Sequence, residues 1–178
     1  VFFIALTSAL HFETGYSAFG AVVLMALVHP APWRDRLRRG LTVLVGAGLS
    51  VSWVLVPLLV NARWAAINSA LETTGLVRGY GARQNLSWLF HGQLLDANRL
   101  PILTVLLFIG MAGAIALWRR DPLRRAFATL TTIFFVISWG PTTLGAATNL
   151  LPGHSDIYFR RFLLSFHLGA IFLIGTAV

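Results

Sequence analysis

Residues 40–60 read GLTVLVGAGLSVSWVLVPLLV, an uncharged run of about 21 residues between an arginine cluster and a polar loop. A transmembrane helix needs roughly 20 consecutive apolar residues, so this run predicts a membrane-spanning helix. The composition agrees, because 57% of the 178 residues are hydrophobic and 11% are charged, whereas soluble domains carry about 25% charged residues. The sequence therefore predicts an all-α, polytopic membrane helix bundle.

Further apolar runs on both sides predict about five spans in a single membrane-embedded unit. Their ranges are about 1–29, 40–60, 100–118, 126–145 and 162–178. The first run contains a polar notch, but a helix that began only at Gly15 would be about 21 Å long at 1.5 Å per residue. We therefore predict one continuous helix across the notch. We expect the fourth span to end or kink at Pro141, and residues 1–178 to be a segment of a longer protein.

The arginines predict which loops face the cytoplasm. The chain has a net charge of +8 without a single lysine, and eight of its 14 arginines lie in two clusters, WRDRLRR at 33–39 and WRRDPLRR at 118–125. Short arginine-rich loops face the cytoplasm, where anionic lipid head groups supply the counter-charge. We therefore predict cytoplasmic loops at 33–39 and 119–125. The similarity of the two clusters is consistent with an internal repeat. It is equally consistent with two unrelated loops that are both rich in arginine because both face the cytoplasm.

The same topology makes the loops 61–99 and 141–161 extracytoplasmic. In the first of these, residues 61–75 predict a short helix that ends at Gly75. Residues 84–95, QNLSWLFHGQLL, place four apolar side chains on one stripe, Leu86, Leu89, Phe90 and Leu94. This spacing predicts an amphipathic helix that lies in the membrane interface. Nucleic-acid binding is not indicated, because no stacking platform accompanies the positive charge.

The candidate functional residues all fall at or above the outer leaflet in this topology. They are His11, Glu13, His91, Asp96, Arg99, His154, Asp156, Arg160 and Arg161. A carboxylate near the hydrocarbon boundary, such as that of Glu13, is a functional hypothesis by default, although a head-group-level ion pair is the alternative. The chain has no cysteine, no phosphate-binding glycine loop and no metalloprotease or nucleophile-elbow motif. We expect no metal and no cofactor.

Several of these residues have two readings. Asp96 and Arg99 are three apart, which on a helix gives a surface ion pair; in a loop they would instead form a pocket floor, with Arg99 binding a phosphate. His91 on an amphipathic helix fits an interface residue or a base. Arg160 and Arg161 fit lipid head-group anchors or ligands of a donor phosphate. The spacing of the histidine and the aspartate at 154–156 does not mark a metal site.

Two stretches resemble one family of membrane proteins. Residues 6–24, LTSALHFETGYSAFGAVVL, resemble the H-x-x-x-G-Y helix of large bacterial membrane proteins known as 6-pyruvoyl-tetrahydropterin synthase-related; the matching positions are His11, Gly15 and Tyr16. Residues 88–110 resemble their G-x-L-L-D-x-x-R-x-P-x-L-T segment. The matching positions there are Gly92, Leu94, Leu95, Asp96, Arg99, Pro101 and Thr104.

This family is similar to the GT-C superfamily of membrane glycosyltransferases. The resemblance implies a protein of the bacterial plasma membrane and cell envelope that takes a sugar from a polyprenyl-phosphate donor at the extracytoplasmic face. Glu13 and Asp96 would be the catalytic acid or base, and the arginines would neutralise the leaving phosphate. The other candidates would bind substrate, namely His11, His91, His154 and Asp156. The family's usual catalytic acid lies in its first external loop, which we expect to precede Val1.

Two other classes of function remain open. A transporter or flippase-like carrier would place paired charges and broken helices at mid-membrane. A non-catalytic membrane scaffold would leave the external polar residues as solvated loop surface. Convergence of Glu13, Asp96 and Arg160 in one cavity would separate the scaffold from the other two.

Overall fold

The computed structural model describes residues 1–61 and 74–177, apart from the side chains of Leu76 and Asp156. These residues form helices and turns without a strand, which confirms the all-α class. The α-helices are α1 Phe2–Leu10, α2 Phe12–Val28, α3 Trp33–Val60, α4 Gly75–Arg78, α5 Gly81–Phe90, α6 Ile102–Ala116, α7 Pro122–Ile137, α8 Pro141–Leu144 and α9 Phe162–Gly175. Three 3₁₀ segments, Gly145–Leu150, His154–Asp156 and Phe159–Arg161, precede α9.

The chain divides into two compact units, Val1–Ser69 and Ala70–Val178. The short helix predicted over 61–75 falls mainly on residues 62–73, which lie outside the described residues. Gly75, predicted to end that helix, instead begins the turn of helix α4.

The first apolar run is two helices, and the prediction of one continuous helix was wrong. The backbone of His11 is extended, with φ −152° and ψ 102°. Its Nδ1 accepts a hydrogen bond from the Thr14 backbone N–H at 3.3 Å and so caps α2. The first helix folds back against the second, because Gly15 has no Cβ to collide with the backbone of Ser8. The polar notch is therefore a corner between two packed helices.

The third helix is 28 residues long and includes the first arginine cluster. The residues predicted as a cytoplasmic loop, 33–39, are thus its first two turns, which begin directly after Pro32. The second cluster is likewise partly helical, since α7 begins at Pro122. The Asp121 carboxylate caps that helix by accepting bonds from the backbone N–H groups of Leu123 and Arg124, both at 3.0 Å. Charge clusters and helix starts coincide in both places.

In the second unit, α6, α7 and α9 pack around an aromatic core. Stacked or tilted rings pair α7 with α9 in antiparallel order: Phe127 with Phe172, Phe134 with Phe162, and Phe135 with Phe166. Helices α6 and α9 approach so closely that a Cβ on Gly110 would overlap the Leu173 carbonyl. Small residues at such crossings are typical of helices that pack within membranes.

The predicted amphipathic stripe forms part of helix α5, which ends at Phe90. Leu89 is buried, and Leu86 and Leu94 pack against the core of the second unit. Phe90 is exposed and stacks on Phe108 of α6, with ring centroids 5.7 Å apart. The stripe therefore covers the helix bundle, and a location in the membrane interface stays a prediction.

The fourth predicted span, 126–145, is not one continuous helix, because its helix ends at Ile137. Helix α7 ends at Ile137, and the segments Pro122–Ile137 and Pro141–Leu150 are bent by 78°. Gly140, with φ +62°, lies in the turn just before Pro141, so the predicted end or kink is confirmed.

The number of five spans is not confirmed. Among the described residues one helix, Trp33–Val60, is long and apolar enough to cross a membrane, and the bent pair adds a second if it is one span. Phe12–Val28 and Ile102–Ala116 are apolar but have only 17 and 15 residues. At 1.5 Å per residue the shorter of these spans about 22 Å, against a hydrocarbon core of roughly 30 Å.

We predict that the corner at His11 depends on Gly15. In Gly15→Ala the new Cβ meets the Ser8 backbone, and such overpacking typically costs about 1–3 kcal/mol of unfolding free energy. Gly48→Ala is the matched control, because no atom beyond the adjacent backbone of its own helix lies within 4 Å of its Cβ position; alanine there gains up to about 1 kcal/mol of helix propensity. Thermal unfolding of the intact protein in detergent measures both. An unchanged midpoint in Gly15→Ala would contradict the packing described.

Candidate functional site

The candidate residues of the second unit lie on the segments that join its helices at one end. Helix α7 arrives there at Ile137, α9 leaves at Phe162, and α6 leaves at Ile102 after a short return connection. The connecting segments, 74–101 and 138–161, are therefore brought to the same end of the three-helix bundle. We call this end the loop end.

Two glycine turns lock the loop end together. A Cβ on Gly79 would lie 2.7 Å from the Ser138 carbonyl oxygen, and one on Gly140 would overlap the Arg78 carbonyl. The Thr142 hydroxyl donates to the carbonyls of Arg78 and Gly79, at 3.1 and 3.0 Å. Both glycines have positive φ, +72° and +62°, a conformation that costs a side-chain-bearing residue more. The two loops thus contact each other through their backbones.

A buried polar pair lies beneath this junction. Asn85 has no exposed surface, and its Nδ2 donates to the Ser138 hydroxyl at 3.1 Å. That hydroxyl donates in turn to the Phe135 carbonyl at 2.6 Å. The Asn85 Oδ1 and the Trp139 Nε1 are buried without a hydrogen-bond partner among the described residues. The junction therefore holds one hydrogen-bond acceptor and one donor that lack a partner among the described residues. Such buried polar atoms are usually bonded to water or to a ligand in native structures.

The arginines above α9 rest on tyrosine rings. The Arg160 guanidinium carbon lies 5.2 Å from the centroid of the Tyr80 ring, and that of Arg161 lies 4.6 Å from Tyr158. Both arginine side chains are exposed. The Tyr80 ring also packs edge-on against Trp88, with centroids 4.8 Å apart. The Arg160 contact uses the face of the guanidinium and leaves the in-plane N–H groups of Arg160 able to bind an anion.

The carboxylate of Asp96 is buried and caps helix α6. Its Oδ1 accepts from the Leu103 backbone N–H at 2.8 Å, and its Oδ2 accepts from the Thr104 backbone N–H at 3.1 Å and the Thr104 hydroxyl at 2.7 Å. Only 5% of the residue is exposed. The ion pair with Arg99 considered above is absent from the described residues. The observed contacts give Asp96 a structural role, and its role as acid or base stays a prediction.

The chain reaches this cap through an unusual turn. Ala97 and Asn98 have φ of +44° and +68°, and Gly92 has φ +73°. Burial by itself raises the pKa of Asp96, but the hydrogen bonds from the Thr104 side chain and from the Leu103 and Thr104 backbone outweigh it and lower the pKa below its usual value. Asp96 is therefore ionised at neutral pH.

The other predicted site residues are dispersed over the two units. His91 is exposed, and its Nδ1 lies 2.7 Å from the Ser87 carbonyl oxygen. Arg99 and His154 are exposed, and the side chain of Asp156 is not among those described. His11 caps helix α2 of the first unit, and the partly buried Glu13 lies in the first turn of that helix. In the described part of the chain, no three His, Asp or Glu side chains are grouped as metal ligands would be.

A cavity of about 290 Å³ lies beside the turn that holds Asp96. It is lined by Leu94, Leu95, Leu103, His167, Ile171 and Ile174. The His167 Nε2 lies 2.8 Å from the Leu94 carbonyl oxygen, to which it donates. The His167 side chain therefore connects α9 to the turn that holds Asp96.

The sequence did not single out Asn85, Thr142 or Tyr80. The glycines at 79 and 81, and the Trp-Gly-Pro at 139–141, were visible signals of tight turns. Their pairing across about 60 residues was not visible, since sequence spacing records only local neighbours. The functional interest of Tyr80 arises only when Arg160 is seen above it.

We predict that Asp96 stabilises the protein more than an ordinary helix cap does. Asp96→Ala leaves buried backbone donors unsatisfied, which costs about 1–3 kcal/mol of unfolding free energy. Asp121→Ala is the matched control, because Asp121 caps α7 with a side chain that is 34% exposed; loss of such a cap typically costs about 1 kcal/mol. Thermal unfolding compares the two. A smaller loss in Asp96→Ala than in Asp121→Ala would contradict the role of Asp96.

The same cap predicts an acid-dependent loss of stability. The pKa of Asp96 is lower in the folded than in the unfolded protein, so its contribution is complete above the unfolded value of about 3.9 and is lost as the pH falls through the folded value. The difference in unfolding midpoint between wild type and Asp96→Ala should therefore be constant at neutral pH and shrink below about pH 4. A difference that persists unchanged in strong acid would show that the charge is not involved.

Comparisons with protein-family models, with curated proteins and with solved structures find no match to this chain. The resemblance carried by residues 6–24 and 88–110 therefore stays a prediction.

Proposed function

We propose that this chain is the membrane-embedded part of a protein that binds a polyprenyl-phosphate-linked sugar at the loop end and supports transfer of that sugar. The observation that carries the proposal is the Arg160 guanidinium on the Tyr80 ring. Its in-plane donors have no hydrogen-bond acceptor among the described residues. An arginine held in this way is preorganised to bind a phosphate in two-point fashion.

The exposed surface of α3 supports a membrane location. Large apolar side chains spaced four residues apart, Leu41, Val45, Leu49 and Trp53, are between 49% and 72% exposed. Water-facing helices seldom expose such a continuous apolar stripe. The stripe fits contact with lipid along a helix that is long enough to cross the bilayer.

In the proposed chemistry, cations stabilise the leaving phosphate and a carboxylate accepts a proton. The acceptor hydroxyl attacks the anomeric carbon, the bond from that carbon to the phosphate oxygen breaks, and the glycosidic bond forms. A carboxylate takes the hydroxyl proton, and polyprenyl phosphate leaves with its charge stabilised by arginines. Arg99, Arg160 and Arg161 fill the second role in this proposal.

The buried cap changes the proposed role of one acid. Because Asp96 already accepts three hydrogen bonds, we assign it a positioning role that holds the turn carrying Arg99. The proton acceptor at the loop end is not assigned to a residue, and the role of Glu13, which belongs to the first unit, as acid or base stays a prediction. His91, His154 and Asp156 keep their proposed role in contacts with the sugar.

We predict that the double variant Arg160→Ala/Arg161→Ala weakens binding of a polyprenyl phosphate by roughly ten-fold or more, because charge-assisted hydrogen bonds contribute about 1.5–3 kcal/mol. Titration of the full-length protein in lipid nanodiscs measures the Kd. The matched control is Arg119→Ala/Arg120→Ala, which removes the same charge from exposed positions in the 117–121 turn. Equal weakening in both double variants, or in neither, would leave the arginines as membrane anchors.

A carrier is the second candidate function, and the 78° break between α7 and α8 favours it. Discontinuous helices form the substrate sites of many transporters. The same nanodisc preparation separates the candidates. Release of free polyprenyl phosphate from a labelled sugar donor indicates transfer, whereas movement of the intact donor between leaflets of proteoliposomes indicates a carrier. A preparation that shows neither supports a scaffold.

A further inference from the structure

An apolar groove runs between α2 and the first turns of α3 in the first unit. Its volume is about 260 Å³, close to the lower limit of roughly 300 Å³ for small-molecule sites. Val22 and Met25 of α2 line one side, and Gly40 and Val43 of α3 line the other. Helices α2 and α3 pack closely at its floor, where a Cβ on Gly40 would lie 3.4 Å from the Ala26 methyl group.

The polar side chains that line this groove are arginine cations and a histidine that can donate a hydrogen bond. They are His29, Arg36 and Arg39, and no acidic side chain lines it. The His29 Nδ1 accepts from the Ala31 backbone N–H at 3.2 Å. The neutral ring therefore carries its proton on Nε2, which makes that atom a donor.

Arg36 donates one hydrogen bond among the described residues. Its Nη1 donates to the Leu27 carbonyl at 2.7 Å, which ties it to the end of α2. Its Nε is buried and has no partner among the described residues. A buried guanidinium donor without an acceptor is costly, and an anion in the groove would satisfy it. Arg39 is exposed and makes no ion pair within the described residues.

The length of α3 fits these cations to a lipid phosphate. Its 28 residues extend about 42 Å at 1.5 Å per residue, whereas the hydrocarbon core is roughly 30 Å thick. The uncharged part from Gly40 to Val60 covers about 31 Å by the same measure. The two turns before it, with Arg36 and Arg39, then extend to the level of the phospholipid head groups.

We propose that this groove is a specific site for an anionic phospholipid of the bilayer, with an acyl chain between α2 and α3 and the phosphate on Arg36, Arg39 and His29. The site is distinct from the loop end and goes beyond the sugar-transfer proposal. Charge complementarity selects the anionic head group, since a zwitterionic lipid presents its own cation to the same arginines. The apolar walls select a lipid over a free phosphate.

The test is native mass spectrometry of the full-length protein in detergent, titrated with phosphatidylglycerol or phosphatidylcholine of the same chains. We expect one saturable phosphatidylglycerol adduct with at least a roughly ten-fold lower Kd than phosphatidylcholine. Arg39→Ala should remove most of this preference and leave the Arg36–Leu27 hydrogen bond intact. Val43→Phe should weaken binding of both lipids by filling the groove.

Arg38→Ala is the matched control. It removes the same charge one residue away, at an exposed position that does not line the groove. Full phosphatidylglycerol preference in this variant supports the site, and an equal loss in both arginine variants would reduce it to diffuse attraction to the cluster. Competition by millimolar inorganic phosphate, or unchanged binding in Val43→Phe, would overturn the assignment to a lipid. None of these outcomes depends on Arg160, so the two proposals fail separately.

Discussion

The Asp96 carboxylate at the start of α6 is the interaction on which the second unit depends. A buried charge is unfavourable unless it is paired or hydrogen-bonded, and here the first N–H groups of a helix satisfy it from both oxygens. The positive end of the helix dipole favours the same charge. The cap fixes the turn 91–99, whose Leu94 carbonyl then accepts from His167 of α9. The carboxylate thus connects the turn to α6, and the Leu94 carbonyl of the same turn connects it to α9.

The helical class followed from composition, and the helix over 40–60 followed from its uncharged length. The amphipathic stripe around Leu89 was also predictable, because its spacing is local. The corner at His11 was not, since an apolar run with one polar notch is compatible with a single helix until Ser8 is placed against Gly15. The early end of α7 was not predictable either, because the turn after it includes Gly140, which packs against the Arg78 carbonyl, distant in sequence.

In the candidate site, too, the sequence predicted which residues to consider but not the contacts that they make. Sequence reasoning selected Asp96 and Arg99 because they are polar and close together, and the structure separates their roles. The acid bonds to residues seven and eight positions ahead, a relation that neither helix nor strand periodicity describes. Arg160 was selected for its charge and its position directly before an apolar run. Its contact with Tyr80 crosses 80 positions of sequence, so only the fold could assign it a fixed geometry.

The two arginine clusters share one contact, in which an arginine donates a hydrogen bond to a backbone carbonyl near the end of the preceding helix. In the first, Arg36 reaches back to the Leu27 carbonyl at the end of α2, and in the second, Arg125 reaches back to the Trp118 carbonyl, at 3.4 Å. A cation beside carbonyls left free at a helix end is favourable. Such a hydrogen bond is expected both in an internal repeat and in two unrelated loops that each follow a helix. The similarity of the clusters therefore does not distinguish between these two origins.

Three breaks between helices in the described residues are closed by hydrogen bonds with a nearby polar side chain. His11 satisfies the start of α2, Asp96 satisfies the start of α6, and Thr142 satisfies carbonyls of the turn after α4. This is what a chain surrounded by lipid requires, because unsatisfied backbone groups there cost several kcal/mol each. These polar residues of the sequence are therefore explained by hydrogen bonding at helix breaks before any chemical role is needed. Arg39 beside the groove and Arg160 at the loop end donate no hydrogen bond among the described residues, and these are the residues for which we propose binding.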